Sequence, residues 1–185
     1  MTAGRSGIFL NGSYGVGKTS VLDHVGDRFA EAELPFALFD VDWFHRSWPV
    51  APDDPGNVRV EAENVRAVWN NYQRSGPRTP IIAGIIETVR DQKRYEECLG
   101  VKLFVAHLTA SPQVATERLR GRYPSTRNEA LNWHLERHQA LSEYLQAEGP
   151  HGLIIDTDDV TPEHVASVVF EQFTSRIHAE HGAEC

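Results

Sequence analysis

The eight residues Gly12-Ser13-Tyr14-Gly15-Val16-Gly17-Lys18-Thr19 fulfil the spacing G-x-x-x-x-G-K-[ST] in full. Glycines at these places let successive backbone amides turn inward and form a concave nest for anions. A short apolar stretch, Gly7-Ile8-Phe9-Leu10-Asn11, precedes the loop and reads as a buried strand. Behind it, Val21, Leu22, Val25 and Phe29 recur at helical spacing, so a helix N-terminus would add its partial positive charge to the same spot. Strand, glycine loop and helix are the setting in which this spacing binds phosphate. Lys18 is expected to reach the β- and γ-phosphates of a nucleotide, and Thr19 to place its hydroxyl on Mg2+. Gly12, Gly15 and Gly17 shape the nest. Ser13, Tyr14 and Val16 occupy the variable places and contribute backbone, and Ser20 extends the set into the helix.

The chain has 185 residues, enough for one well-buried domain. A hydrophobic content of 41% and a charged content of 24% are those of an ordinary globular protein. The net charge of −8 and pI near 5.6 argue against a general nucleic-acid or anionic-membrane surface. A small anionic substrate stays possible, because local arginines can overrule the overall sign. The two cysteines, Cys98 and Cys185, stand far apart without metal-ligand spacing, which suggests a reducing compartment. With no membrane-length apolar run and no signal-peptide core at Met1–Ser6, the expectation is a soluble, cytoplasmic protein, monomeric or homodimeric.

Strand-like and helix-like segments alternate along the whole chain, which favours a parallel sheet with helices on both faces. Phe36-Ala37-Leu38-Phe39 is a second strand ending at Asp40, and a turn-rich loop runs from Pro49 to Gly56. Ala62, Val65, Trp69 and Tyr72 mark one face of an amphipathic helix, and Ile81 to Ile86 reads as a third strand. A polar helix over Val89–Leu99 leads to a strand over Val101–Leu108. Ser111 with Pro112 starts another helix, and Thr126 with Glu129 has capping-box spacing for the next, with Leu131, Leu135, His138, Leu141 and Leu145 along one side. Leu153–Asp156 is the last strand, and Thr161-Pro162-Glu163 opens a final helix burying Val165, Val169 and Phe173. A domain over residues 1–178 and a frayed polar tail over 179–185 are expected.

A GTPase would carry N-K-x-D, which is absent, and the strand Ile81–Ile86 ends at Glu87 rather than at a Walker B aspartate. Phe39-Asp40-Val41-Asp42-Trp43-Phe44-His45 instead resembles the D-x-D segment after strand two of small P-loop kinases, such as adenylate, shikimate and gluconate kinases. With Pro49 downstream, it is most similar to chloramphenicol phosphotransferase-like kinases. Leu108-Thr109-Ala110-Ser111-Pro112 and Arg118-x-x-Gly121-Arg122 resemble the strand and helix entering the kinase lid. In that comparison the first arginine packs on adenine and the second touches phosphates. Asp156-Thr157-Asp158 before Pro162 resembles the turn that holds the adenine edge.

The resemblance implies one α/β domain with a five-stranded parallel sheet in the order 2-3-1-4-5 and a short helical lid near residues 118–130. It implies ATP- and Mg2+-dependent transfer of the γ-phosphate to a hydroxyl of a small molecule. Asp42 would orient or deprotonate that hydroxyl, and Asp40 would hold a Mg2+-bound water; otherwise both simply cap a strand end. Arg122 would neutralise charge on the transferred group and Arg118 would stack on the base, with Arg120 and Arg127 as alternatives for the phosphate. Trp43 and Glu87 are candidates for the acceptor pocket, although Glu87 equally suits the first turn of a helix. His134 and His138 lack a third ligand and read as a helix face rather than a zinc pair. A nucleoside or nucleotide kinase, and an ATP-binding regulatory module without catalysis, are the other functions compatible with these motifs.

Overall fold

The computed structural model describes residues 6–123, 125–150 and 152–182. Strands β1 (Ser6–Asn11), β2 (Phe36–Asp40), β3 (Thr79–Ala83), β4 (Lys102–Thr109) and β5 (Leu153–Asp156) alternate with helices. These are α1 (Lys18–Glu31), α2 (Val58–Gln73), α3 (Val89–Leu99), α4 (Pro112–Arg122), α5 (Asn128–Glu148) and α6 (Pro162–Gly182). Every strand pair is parallel, in the order β2-β3-β1-β4-β5. This is the expected doubly wound α/β arrangement. The chain leaves β1 toward one edge of the sheet and later crosses to the other, so the C-terminal end of β1 is the switch point where ligands collect.

Because β1 is central, its residues are apolar toward both faces. Ile8 and Leu10 join Val21, Val25, Phe29, Val165 and Val169 in a core beneath α1 and α6. Phe9 points the other way, into a core with Phe39, Val65, Trp69, Ile82 and Tyr95 beneath α2 and α3. Trp69, 1% exposed, satisfies its indole N–H on the Leu99 carbonyl at 2.8 Å, so this large ring packs without an orphaned donor. Tyr72, expected on the same buried face, is 41% exposed.

Several boundaries depart from the sequence pattern. Strand β3 stops at Ala83 although the apolar run continues to Ile86. The Gly84 amide still donates to the Leu10 carbonyl at 3.1 Å. Beyond it, the buried Asn11 side chain takes over: Nδ2 donates to the Ile86 carbonyl at 3.0 Å and Oδ1 accepts from the Ile86 amide at 2.9 Å. One side chain thus replaces a strand neighbour. The capping box expected from Thr126 and Glu129 is absent: a 3-10 turn covers Ser125–Arg127, and Arg127 occupies the N-cap of α5 without a side-chain cap bond. Of the expected apolar stripe on α5, only His138 and Leu145 are buried. Helix α6 continues through Gly182, past the point where the composition suggested fraying, and residues 183–185, including Cys185, lie outside the described residues. Cys98 is a free, buried thiol. No helix among the described residues is long and apolar enough to cross a membrane.

Candidate active site

The loop Gly12–Thr19 joins β1 to α1 at the switch point. Gly15 and Gly17 have φ values of 79° and 95°, which L side chains rarely adopt. A Cβ on Gly15 would sit 2.8 Å from the Ala115 carbonyl oxygen and 3.1 Å from Leu119 Cγ, so the loop lies against α4 with no room to spare. Lys18 crosses the nest and donates to the carbonyls of Gly12 at 2.7 Å and Ser13 at 2.8 Å. Burial lowers its ammonium from the ordinary 10.5 to about 8, with Arg122 acting in the same direction and Asp42 and Asp40 opposing. An ammonium desolvated in this way gains from an incoming polyanion. The glycine cradle, the lysine above it and the helix N-terminus below fit a nucleoside triphosphate.

Asp40 ends β2, one strand removed from β1, yet it reaches the loop. Its Oδ2 accepts from the Thr19 hydroxyl at 3.0 Å, and its Oδ1 accepts from the Asp42 amide at 3.1 Å. The intervening strand makes this possible, because Asp40 pairs in register with the small Ala83, which Gly84 follows. Thr19 and Asp40 together fit a hydrated Mg2+, which keeps most of its waters and uses one or two protein groups. Among the described residues no cluster of three or more His, Cys, Asp or Glu side chains is gathered as a metal cage.

A 3-10 turn over Val41–Trp43 carries Asp42 away from Asp40 and into the cleft. A cavity of about 630 Å3 is lined by Tyr14 to Val21, Asp42, Arg118, Arg122 and Thr157. A second one, of about 350 Å3, is lined by Asp40, Asp42, Trp43, Arg46, Arg122, Tyr123 and Arg127. Asp42 and Arg122 belong to both. The chain after Asp42 is pinned to α2, with Asn64 donating to the Phe44 carbonyl and Asn57 to the His45 carbonyl, each at 2.7 Å. Glu61 accepts from His45 Nδ1 at 2.6 Å and from the Tyr95 hydroxyl.

Arg118 and Thr157 also meet. The guanidinium donates to the Thr157 hydroxyl at 2.9 Å and to its carbonyl at 2.6 Å. The buried Thr157 hydroxyl in turn faces the carbonyls of Thr109 at 2.9 Å and Val16 at 3.2 Å. This joins α4, the turn after β5 and the glycine loop at one side of the larger cavity.

Not every candidate falls inside. Ser20 lines the larger cavity. Glu87 is exposed, lines neither cavity and starts the approach to α3, whose N-cap is Thr88 with Asp91 in a capping box. Arg120 is exposed on α4 and lines neither. Trp43, 71% exposed, borders the smaller one. His138 had no assigned role in the motif pattern. Its Nδ1 bonds the Tyr14 carbonyl at 2.6 Å while its own carbonyl accepts from the Ser13 hydroxyl at 2.8 Å. Tyr14 packs edge-on against His134 at 4.8 Å, so α5 holds the tip of the loop. Only the position of His138 on the buried side of α5 hinted at this. Arg46, just past the D-x-D segment, was also missed.

No protein-family model matches the chain, and no curated protein matches it in sequence. Solved structures do match in fold. A tunicamycin resistance protein from Deinococcus radiodurans is similar with a TM-score of 0.61 at 21% identity, covering 91% of this chain and 96% of that one. A gluconokinase from Sinorhizobium meliloti superposes with a TM-score of 0.60 at 14% identity, covering 96% and 98%. A sugar kinase from Janibacter sp. HTCC2649 gives 0.55 at 20% identity, covering 92% of each chain. At such identities the likeness speaks for architecture, and by it the chain has the fold of the small P-loop kinases.

Proposed function

We propose that this protein transfers the γ-phosphoryl group of ATP to a hydroxyl group of a small molecule. The observation that carries the reading is that Asp42 and Arg122 line both the larger cavity around the glycine loop and the smaller cavity beside it. A donor and an acceptor seated in the two would meet at these side chains. The kinase names borne by fold relatives support the same reaction class.

In this reading the amides of Gly12–Lys18 cradle the phosphates, and Lys18 pairs with their β- and γ-oxygens. Thr19 and Asp40 would hold a hydrated Mg2+, which supplies further neutralisation of phosphate charge when bound. Asp42 accepts the acceptor's hydroxyl proton as the hydroxyl oxygen bonds to the γ-phosphorus and the bond from that phosphorus to the ADP oxygen breaks. The proton then passes to solvent. Arg122 balances the charge on the transferred group. Little covalent chemistry falls to the protein, so positioning dominates.

Asp42→Asn tests this directly. ATP affinity is expected to stay within about threefold, while acceptor-dependent turnover falls roughly a hundredfold or more, the usual contribution of a positioned base. Undiminished turnover would remove Asp42 from the chemistry. Tight ATP binding by the wild type, with no transfer to any acceptor, would favour a regulatory module instead.

A further inference from the structure

The smaller cavity carries an unbalanced charge. Arg46, Arg122 and Arg127 converge on it from the loop after β2, the end of α4 and the turn before α5. Among the described residues none of the three has a hydrogen-bonded or ion-paired carboxylate. The two carboxylates on the same wall do not fill that place. Asp40 accepts only from the neutral Thr19 hydroxyl and Asp42 amide, and three guanidiniums against two carboxylates leave the lining net positive. In a chain of net charge −8, this is a local cationic site.

The guanidiniums also divide by place. Arg122 borders both cavities and so lies at the junction with the donor side, whereas Arg46 and Arg127 line only the smaller one. Arg46 stacks over Trp43 with its central carbon 4.7 Å from the ring centroid. A guanidinium over an aromatic face spends none of its N–H donors on that contact. A planar fork that lines one cavity with a second guanidinium matches a carboxylate or phosphate, which it can grip through paired hydrogen bonds. A cavity of about 350 Å3 is of the size that takes a metabolite.

We infer that the acceptor is a small hydroxylated anion, its hydroxyl presented to Asp42 and its carboxylate or phosphate group held by Arg46 and Arg127. This rests on the phosphoryl-transfer reading and narrows it to a substrate class. The oxygen attacked belongs to the hydroxyl, and the anionic group keeps its charge and its bonds throughout.

The experiment uses matched pairs: aldonic acids against their alditols, hydroxy acids against their amides, and sugar phosphates against the free sugars. Each is tested with the full chain for phosphoryl transfer and, without nucleotide, for binding by calorimetry. Expected are transfer and binding confined to the charged members, with the productive pair telling carboxylate from phosphate. Arg46→Gln and Arg127→Gln, both at exposed positions, should each lower kcat/KM for the charged acceptor and its binding constant roughly tenfold to a hundredfold. The KM for ATP should not move. Arg46→Lys should restore only part, since a point charge lacks the fork. Neutral members used as well as charged ones, with the arginine variants unaffected, would overturn the inference and leave phosphoryl transfer standing. Transfer to nucleoside monophosphates with a diphosphate product would overturn the hydroxyl class. If nothing is phosphorylated, the transfer reading fails on its own, and the titrations still decide this one: anion binding that is absent, or equal in wild type and the double variant, refutes it.

Discussion

Asn11→Ala should unfold the protein far more readily than any exposed asparagine substitution, and the size of the effect follows from a single pair of bonds. Asn11 is 0% exposed, and Ile86 opposite is also buried completely. Its amide meets the Ile86 carbonyl at 3.0 Å and the Ile86 N–H at 2.9 Å. Alanine would leave both backbone groups buried without partners. At about 1–3 kcal/mol for each orphaned group, the loss comes to about 2–6 kcal/mol. For a chain of this length each kcal/mol lowers Tm by about 2–4 °C, so a drop of about 4–24 °C is expected. Urea unfolding followed by circular dichroism gives the free energy, read as a lower midpoint at constant slope. Asn70→Ala, on the exposed side of α2, serves as the comparison and should stay within about 0.5 kcal/mol. A loss below about 1 kcal/mol at Asn11 would mean that the paired bonds do not set the path of the chain after β3. The reasoning about why that strand stops at Ala83 would then be wrong.

Two more outcomes are expected. The free Lys18 ammonium titrates at about 8, below its ordinary 10.5, so between those values the unfolded chain binds more protons and stability without nucleotide rises with pH. Bound phosphates should restore the higher value, so nucleotide binding at pH 9 takes up about 0.9 proton against about 0.1 at pH 7. Calorimetry in buffers of different ionisation heat measures this, and equal uptake at both pH values would refute it. Gly15→Ala places a Cβ 2.8 Å from the Ala115 carbonyl oxygen at a φ of 79°, which should cost about 1–3 kcal/mol and weaken ATP binding measurably by titration. A variant with unchanged affinity would show that the loop is free to move away from α4.

Legibility in the sequence followed the range of the interaction. The glycine loop, the helix over Val89–Leu99 and the strand over Leu153–Asp156 match the structure because periodicity and caps are local signals. Asp40 was found through its motif, but its reach across β3 to Thr19 depends on the small Ala83 lying between, which only strand order reveals. The link from His138 to the Tyr14 carbonyl spans 124 positions, and apart from the place of His138 on the buried side of α5 nothing local announces it. The cap expected from Thr126 failed because a 3-10 turn covers Ser125–Arg127, so spacing alone did not determine the backbone there. Arg46 carried no pattern at all. Its neighbours in the cavity come from α4 and from the turn before α5.

The two grips on the glycine loop set a limit on motion. Arg118 is tied through Thr157 to the Val16 carbonyl, and His138 is tied to the Tyr14 carbonyl. Arg118 and His138 thus hold the loop from two different helices, α4 and α5. Arg122 and Arg127 lie in the sequence between those two residues, while Arg46 and Asp42 follow β2. An acceptor seated in the smaller cavity would touch both segments, so its binding should stiffen one against the other.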